Sequence, residues 1–156
     1  MMMQNDFGAC KNRRKIICVS GAGVCSETNR KLAYETGREI ARQGHILLNG
    51  GLYGVMEASA QGAKDAGGLV VGILPGDSSE DANAYVDIPI VTNMGHARNI
   101  ILMHTADSVI ALEGEFGTLS EIAVALKLGK RVVGLGTWDI PGVMQALDPK
   151  HAVKLA

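Results

Sequence analysis

Short apolar runs alternate with longer stretches of helical spacing along most of this chain. Residues 15–20, 45–49, 69–74, 107–112 and 131–135 are nearly all apolar and too short for helices. Each reads as a strand buried on both faces. Between 27 and 43, Leu32, Ala33, Gly37, Ile40 and Ala41 fall on one helical face, and Gly44 closes the helix. Residues 55–66 form a second helix, stopped by Gly67 and Gly68. Residues 95–105 and 118–128 suit two more, the latter closed by Gly129. Residues 77–84 are polar and read as a surface loop. Residues 86–91 are extended, with Pro89 suited to a sheet edge or an irregular position, and 143–146 make one last short strand. Asp148 and Pro149 then supply the N-cap and first position of a terminal helix.

This alternation predicts an α/β fold in three layers, α/β/α, around a mostly parallel sheet of about six to seven strands. Crossovers should be right-handed. Three glycine-bearing breaks follow strands and precede helices, so they should gather at the carboxyl edge of the sheet, where open α/β folds bind ligands. The chain holds 20 glycines in 156 residues, well above an average share of roughly 7%.

The first break, Gly21-Ala22-Gly23, opens like a dinucleotide fingerprint. Ser26 takes the place of the third glycine, and Asn49 ends the second strand where a NAD site has an acid. A NAD site is therefore not expected, and the turn is either simply tight or a phosphate or ribose contact. The second break is Asn49-Gly-Gly-Leu-Tyr-Gly-Val-Met-Glu57. Gly50 and Gly51 let the backbone approach a ligand, or let strand and helix pack closely, and Gly54 opens a helix. Glu57 suits the positive end of that helix with or without a ligand.

The third break, Leu112-Glu-Gly-Glu-Phe-Gly-Thr-Leu-Ser-Glu121, joins a strand to a helix predicted to open with Thr118. Free backbone N–H groups and the helix dipole make such a junction an anion site. Glu121, three residues past Thr118, either closes a capping box or faces a ligand. Upstream, Gly95-His-Ala-Arg-Asn99 begins an otherwise apolar helix. Arg98 is either a surface arginine or, if buried, in need of a carboxylate or phosphate partner. His96 is of a residue type able to transfer protons and Cys25 follows the first glycine turn, but each reads more readily as structural.

Composition narrows the partners. A net charge of -1 and 4% aromatic residues give no footprint for nucleic acid. No run approaches the ~20 apolar residues of a membrane span. The three cysteines, Cys10, Cys18 and Cys25, form neither a disulfide framework nor a CxxC zinc pair, which points to reducing cytoplasm and no metal site. Residues 1–14 read as a mobile tail; Lys11, Arg13, Arg14 and Lys15 follow its weakly apolar start, unlike a secretory signal. Residues 15–156 then form a single domain. The helices carrying Ile100, Ile101, Leu102 and Met103, and Ile122, Ala123, Val124, Ala125, Leu126 and Leu128, are apolar nearly all round. Either neighbouring helices cover them or a second subunit does, which predicts a homodimer or homotetramer.

Taken together, Asn49–Glu57, Arg98 and Glu113-Gly-Glu-Phe-Gly-Thr-Leu-Ser-Glu121 resemble the motifs of the LONELY GUY group. That group carries a GGGxxGLMG turn, an arginine-bearing helix start and PGGxGTxxE. The similarity spans residues 15–135 and looks closest to a short branch holding molybdenum-cofactor carrier-like proteins. It implies a Rossmann-like nucleotide-binding domain, usually in dimers or tetramers. Enzymatic members hydrolyse the N-glycosidic bond of nucleoside 5′-monophosphates, releasing base and ribose 5-phosphate. The resemblance implies Arg98 and Glu121 as the catalytic pair and Gly114, Gly117 and Thr118 as the phosphate cradle. Glu113 and Glu115 stand where the motif has Pro and Gly, placing two carboxylates beside that cradle. Members are often mislabelled as lysine decarboxylases, but no segment here suggests a pyridoxal-phosphate lysine. Three functions remain open. One is a binding or carrier protein for a phosphate-bearing small molecule, a nucleotide or molybdopterin-type cofactor, with no cofactor required. The others are a phosphoribohydrolase and a structural oligomer with a vestigial site.

Overall fold

The apolar runs become one seven-stranded sheet in the computed structural model, which describes residues 13–156. In chain order the elements are β1 (Ile16–Ser20), α1 (Glu27–Arg42), β2 (Ile46–Asn49), α2 (Val55–Asp65), β3 (Leu69–Leu74) and β4 (Ile88–Val91). There follow α3 (Arg98–Thr105), β5 (Ser108–Leu112), α4 (Phe116–Lys127), β6 (Arg131–Leu135), β7 (Val143–Gln145) and α5 (Pro149–Leu155). The strand order is β4-β3-β2-β1-β5-β6-β7, and every ladder is parallel. The predicted three-layer α/β/α fold is the observed one, and it is Rossmann-like.

Alternate side chains of each strand feed opposite faces, as the pleat requires. Ile17, Val19, Leu47, Val70, Ile110 and Val133 pack under α1, α2 and α5. Cys18, Leu48, Ile73, Val109, Ala111 and Val132 pack under α3 and α4. Strand β4 lies at the edge with all four residues exposed, the place predicted for Pro89. Asp148 caps α5 by accepting from the His151 N–H at 2.8 Å, with Pro149 at the first position. Helices α1 and α2 cross in close contact: Gly37 lies against the Ser59 carbonyl and Gly62 against the Tyr34 carbonyl, where a Cβ would collide with backbone.

Two boundaries differ from expectation in ways that matter for the site. Residues 95–97 form a separate 3-10 turn, so that Arg98 opens α3. Helix α4 starts at Phe116 with Glu115 as its N-cap, two residues before Thr118. Glu115 is already extended after the turn at Gly114, so the first helical turn takes in Phe116, Gly117 and Thr118. Thr118 is therefore inside the helix and forms no capping box with Glu121. Residues 1–12 of the expected tail lie outside the described residues. Arg13 pairs with Asp107, and Arg14 donates from Nε to the Gly44 carbonyl at 2.8 Å.

Candidate functional site

The order in which strands are added reverses at β1. The chain builds β2, β3 and β4 outward on one side, then crosses to β5 on the other. The loops after β1 and β5 diverge at that switch point and leave a crevice between them. A cavity of about 310 Å³ fills it, lined by Gly21, Ala22 and Gly23 from the first loop and by Glu115, Gly117, Thr118 and Glu121 from the start of α4. Leu52 and Met56 come from the second loop and α2, and His96, Arg98 and Asn99 from the start of α3.

Arg98 is 7% exposed. Among the described residues it forms no ion pair, its Nε has no acceptor, and its Nη1 donates to the Asn99 side chain. Of the two fates open to this arginine, burial is the observed one, without a protein carboxylate bound to it. Burial pushes its pKa down, and the nearby charges of Glu121 and Cys18 act the other way. Its Nη2 lies over Gly50, where a Cβ would stand 2.5 Å from it. The bareness of Gly50 thus makes room for the guanidinium.

Glu121 sits in the second turn of α4, 9% exposed, facing the same cavity. Ser20, the last residue of β1, donates its hydroxyl to the Glu121 carboxylate. Burial raises the pKa of this carboxyl; the Ser20 hydrogen bond and the Arg98 charge pull it back. Beneath the pair lies Cys18, whose thiol is pushed well up by burial and then by Glu121, against the effect of Arg98. The arrangement can bind an anion through Arg98 and the N–H groups opening α4, and it holds a carboxylate ready to accept a proton or face positive charge.

The other predicted residues divide. Gly23 and Gly117 meet no atom where a Cβ would be, so their backbones are open to the cavity, and Thr118 lines it from the first helical turn. Gly21 lies against Val55, Gly51 against Leu74, and Gly54 beneath the backbone of Ala22 and Gly23. Gly114 touches Thr118 and borders a neighbouring hollow. Gly50, Gly51 and Gly54 are thus in the framework around the cavity rather than in its wall. Glu57 pairs with Arg30 at 3.7 Å.

Several residues that shape the site were not among the predicted site residues. Asn49 uses its whole amide: Nδ2 donates to the Met56 carbonyl at 2.8 Å, and Oδ1 accepts from the Gly51 N–H at 2.8 Å. Asn83, in the stretch predicted to be a polar surface loop, turns inward and donates to the Leu52 carbonyl at 2.7 Å. Ser20 and Asn99 hold Glu121 and Arg98. The local clue was position: Ser20 and Asn49 are polar residues ending apolar strands.

A Rossmann-like sheet with an anion-directed cavity at its switch point defines the class. The particular family is shown by comparison with known proteins: the chain belongs to the SLOG cluster4 family, whose model matches residues 14–155. This places it in the LONELY GUY superfamily, beside the molybdenum-cofactor carrier-like branch. The molybdenum cofactor binding protein of Rippkaea orientalis shares 42% identity at a TM-score of 0.87, covering 92% of this chain and 95% of that one. The molybdenum cofactor carrier protein of Chlamydomonas reinhardtii shares 40% at 0.84, covering 91% and 95%. A cytokinin riboside 5′-monophosphate phosphoribohydrolase of Mycobacterium tuberculosis is 38% identical over 76% of this chain, which spans 62% of that protein's length.

Proposed function

We propose that this protein binds a phosphate-bearing small molecule, a nucleotide or pterin-type cofactor, at the carboxyl edge of its sheet and serves as its carrier. One observation carries the reading: Arg98 is buried, lines the cavity and forms no ion pair with a carboxylate among the described residues. A buried guanidinium without an anion is costly, and a phosphate between it and the N-terminus of α4 supplies one. The likeness to two molybdenum cofactor proteins over nearly their whole length supports the same reading. Thermal melting with a panel of nucleotides and pterins tests it. A ligand at a hundredfold its Kd adds about 2.7 kcal/mol, and Arg98→Ala should weaken binding on the order of tenfold or more. If nothing in the panel raises Tm, the reading fails.

A second reading is favoured by Glu121, which shares the cavity with Arg98 and is fixed by Ser20. Hydrolysis of a nucleoside 5′-monophosphate breaks the bond from C1′ to the base nitrogen. Water adds at C1′, and the base leaves with a proton. Glu121 would steady the positive ribose or take the proton of the water, while Arg98 holds the phosphate. Incubation with AMP and other 5′-monophosphates should then release free base, and Glu121→Ala and Arg98→Ala should abolish release. No turnover by the wild type rules this reading out.

Both readings fit a homo-oligomer. A groove of about 470 Å³ runs between α3 and α4, with Ile100, Phe116 and Val124 in its walls. It shares His96, Asn99, Gly117 and Glu121 with the central cavity. We take the uncovered apolar face around it as the contact with a second copy.

A further inference from the structure

The central cavity shares Ala22 and Glu115 with an adjoining hollow of about 400 Å³. Val24, Cys25 and Ser26 form one wall, and Glu113 and Gly114 the other. The two spaces differ in their basic groups, although Glu115 and Glu121 also line the first. The first holds a buried cation, Arg98, unpaired among the described residues, and the opening turn of α4. The second is lined by carboxylates with no basic side chain among its lining residues. A ligand is expected at Arg98 on that residue's own account. A phosphate held there brings the group it is attached to within reach of the carboxylates.

The two glutamates are not equivalent. Glu113 is held in place: its backbone is left-handed at φ 38, its carboxylate accepts from the Asn29 amide, and its carbonyl accepts from the Thr137 hydroxyl at 2.9 Å. Glu115 borders both spaces, and it is the N-cap of α4 without making a side-chain capping bond. The positive end of α4 suits an acid with or without a ligand, and the absence of a capping bond leaves this carboxylate free to face the cavity. Its carboxylate is acceptor-only and suited to a pair of parallel N–H donors. A ring N–H beside an exocyclic amino group, the edge of a 2-amino-4-oxopyrimidine as in guanine and pterins, offers that pair. The 6-aminopurine edge of adenine sets a ring acceptor beside its amino group, which a carboxylate repels.

We propose that Glu115 is a specificity-determining residue that selects a 2-amino-4-oxopyrimidine ring over a 6-aminopurine, an inference that rests on the phosphate reading above. Isothermal titration of the full chain with GMP, AMP and ribose 5-phosphate tests it in the wild type, Glu115→Ala and Glu115→Gln. The wild type should hold GMP on the order of tenfold or more tighter than AMP, because a site built for donors rejects a ligand that lacks them. Both variants should bring that ratio close to one. Ribose 5-phosphate lacks the ring, so its Kd in each variant separates loss of the ring contact from loss of the phosphate site. If the protein turns the nucleotides over, the same ratios are read from kcat/KM. AMP binding as tight as GMP in the wild type, or a GMP preference that survives Glu115→Ala, overturns the proposal while ribose 5-phosphate binding leaves the phosphate reading standing. Failure of all three probes to bind overturns both.

Discussion

Glu121 carries a conflict that can be measured. Its carboxyl titrates above its ordinary value chiefly because it is buried. The folded protein is therefore penalised for ionising it: the penalty is absent at low pH, grows through the carboxylate range and is complete above the raised value. Glu121→Gln removes the penalty and keeps the shape. The variant should melt higher than the wild type at pH 7, with the gap closing as pH falls below the ordinary value of 4.5. An unchanged gap across that range would exclude ionisation as its source. If the protein is a hydrolase, the same substitution abolishes turnover, so stability and activity move in opposite directions. At this scale the sequence was readable where a residue type was unusual for its place. An arginine opening an apolar helix and an acid after a glycine turn singled out Arg98 and Glu121. The position of Ser20 at the end of an apolar strand was a clue, but its partner was hidden, because it meets Glu121 only after β1 and α4 are brought together. Nothing showed that Gly50 makes way for Arg98.

Helices α1 and α2 meet through Gly37 and Gly62, and this contact sets how tightly the first two crossovers pack. Glycine to alanine inside a helix ordinarily gains about 1 kcal/mol from propensity. At Gly62 the added methyl meets the Tyr34 carbonyl, which belongs to backbone and cannot rotate away. Overpacking of this kind costs about 1–3 kcal/mol. Gly62→Ala is expected to lower Tm, by roughly 2–4 °C per kcal/mol of net loss for a chain of this size. A rise in Tm would mean that the helices slide apart freely. Strands were legible from apolar runs because a parallel sheet buried on both faces admits little else. The helices were legible from spacing and from the glycines that close them. The start of α4 was misplaced because Thr118 is a good cap by type, whereas the turn at Gly114 and the extended Glu115 let the helix begin two residues earlier. A cap preference of about 1 kcal/mol is easily overridden by the geometry of a loop leaving a strand.

In the whole molecule, the faces of α3 and α4 turned away from the sheet stay open within one protomer. Ile100 is 45% exposed and Phe116 81%. Sedimentation velocity at micromolar concentration should give a dimer or tetramer, and Val124→Glu should shift it toward monomer; a monomeric wild type would refute the contact. The position of β1 at the centre of the sheet also governs how the chain acquires its fold. Ile17 pairs with Ile46's neighbour Leu47 on one side and with Ser108 on the other. A nascent chain that has emerged through α3 can assemble β1, β2, β3 and β4 side by side, yet one flank of β1 stays bare until β5 arrives. Such long-range closure is slow and leaves an apolar edge exposed in the meantime. Ser20 waits on that edge for Glu121, so the cavity does not exist until nearly all of the sheet is built. A ligand of this site is therefore expected to slow unfolding far more than it speeds folding, a split that stopped-flow unfolding and refolding with and without ligand would measure.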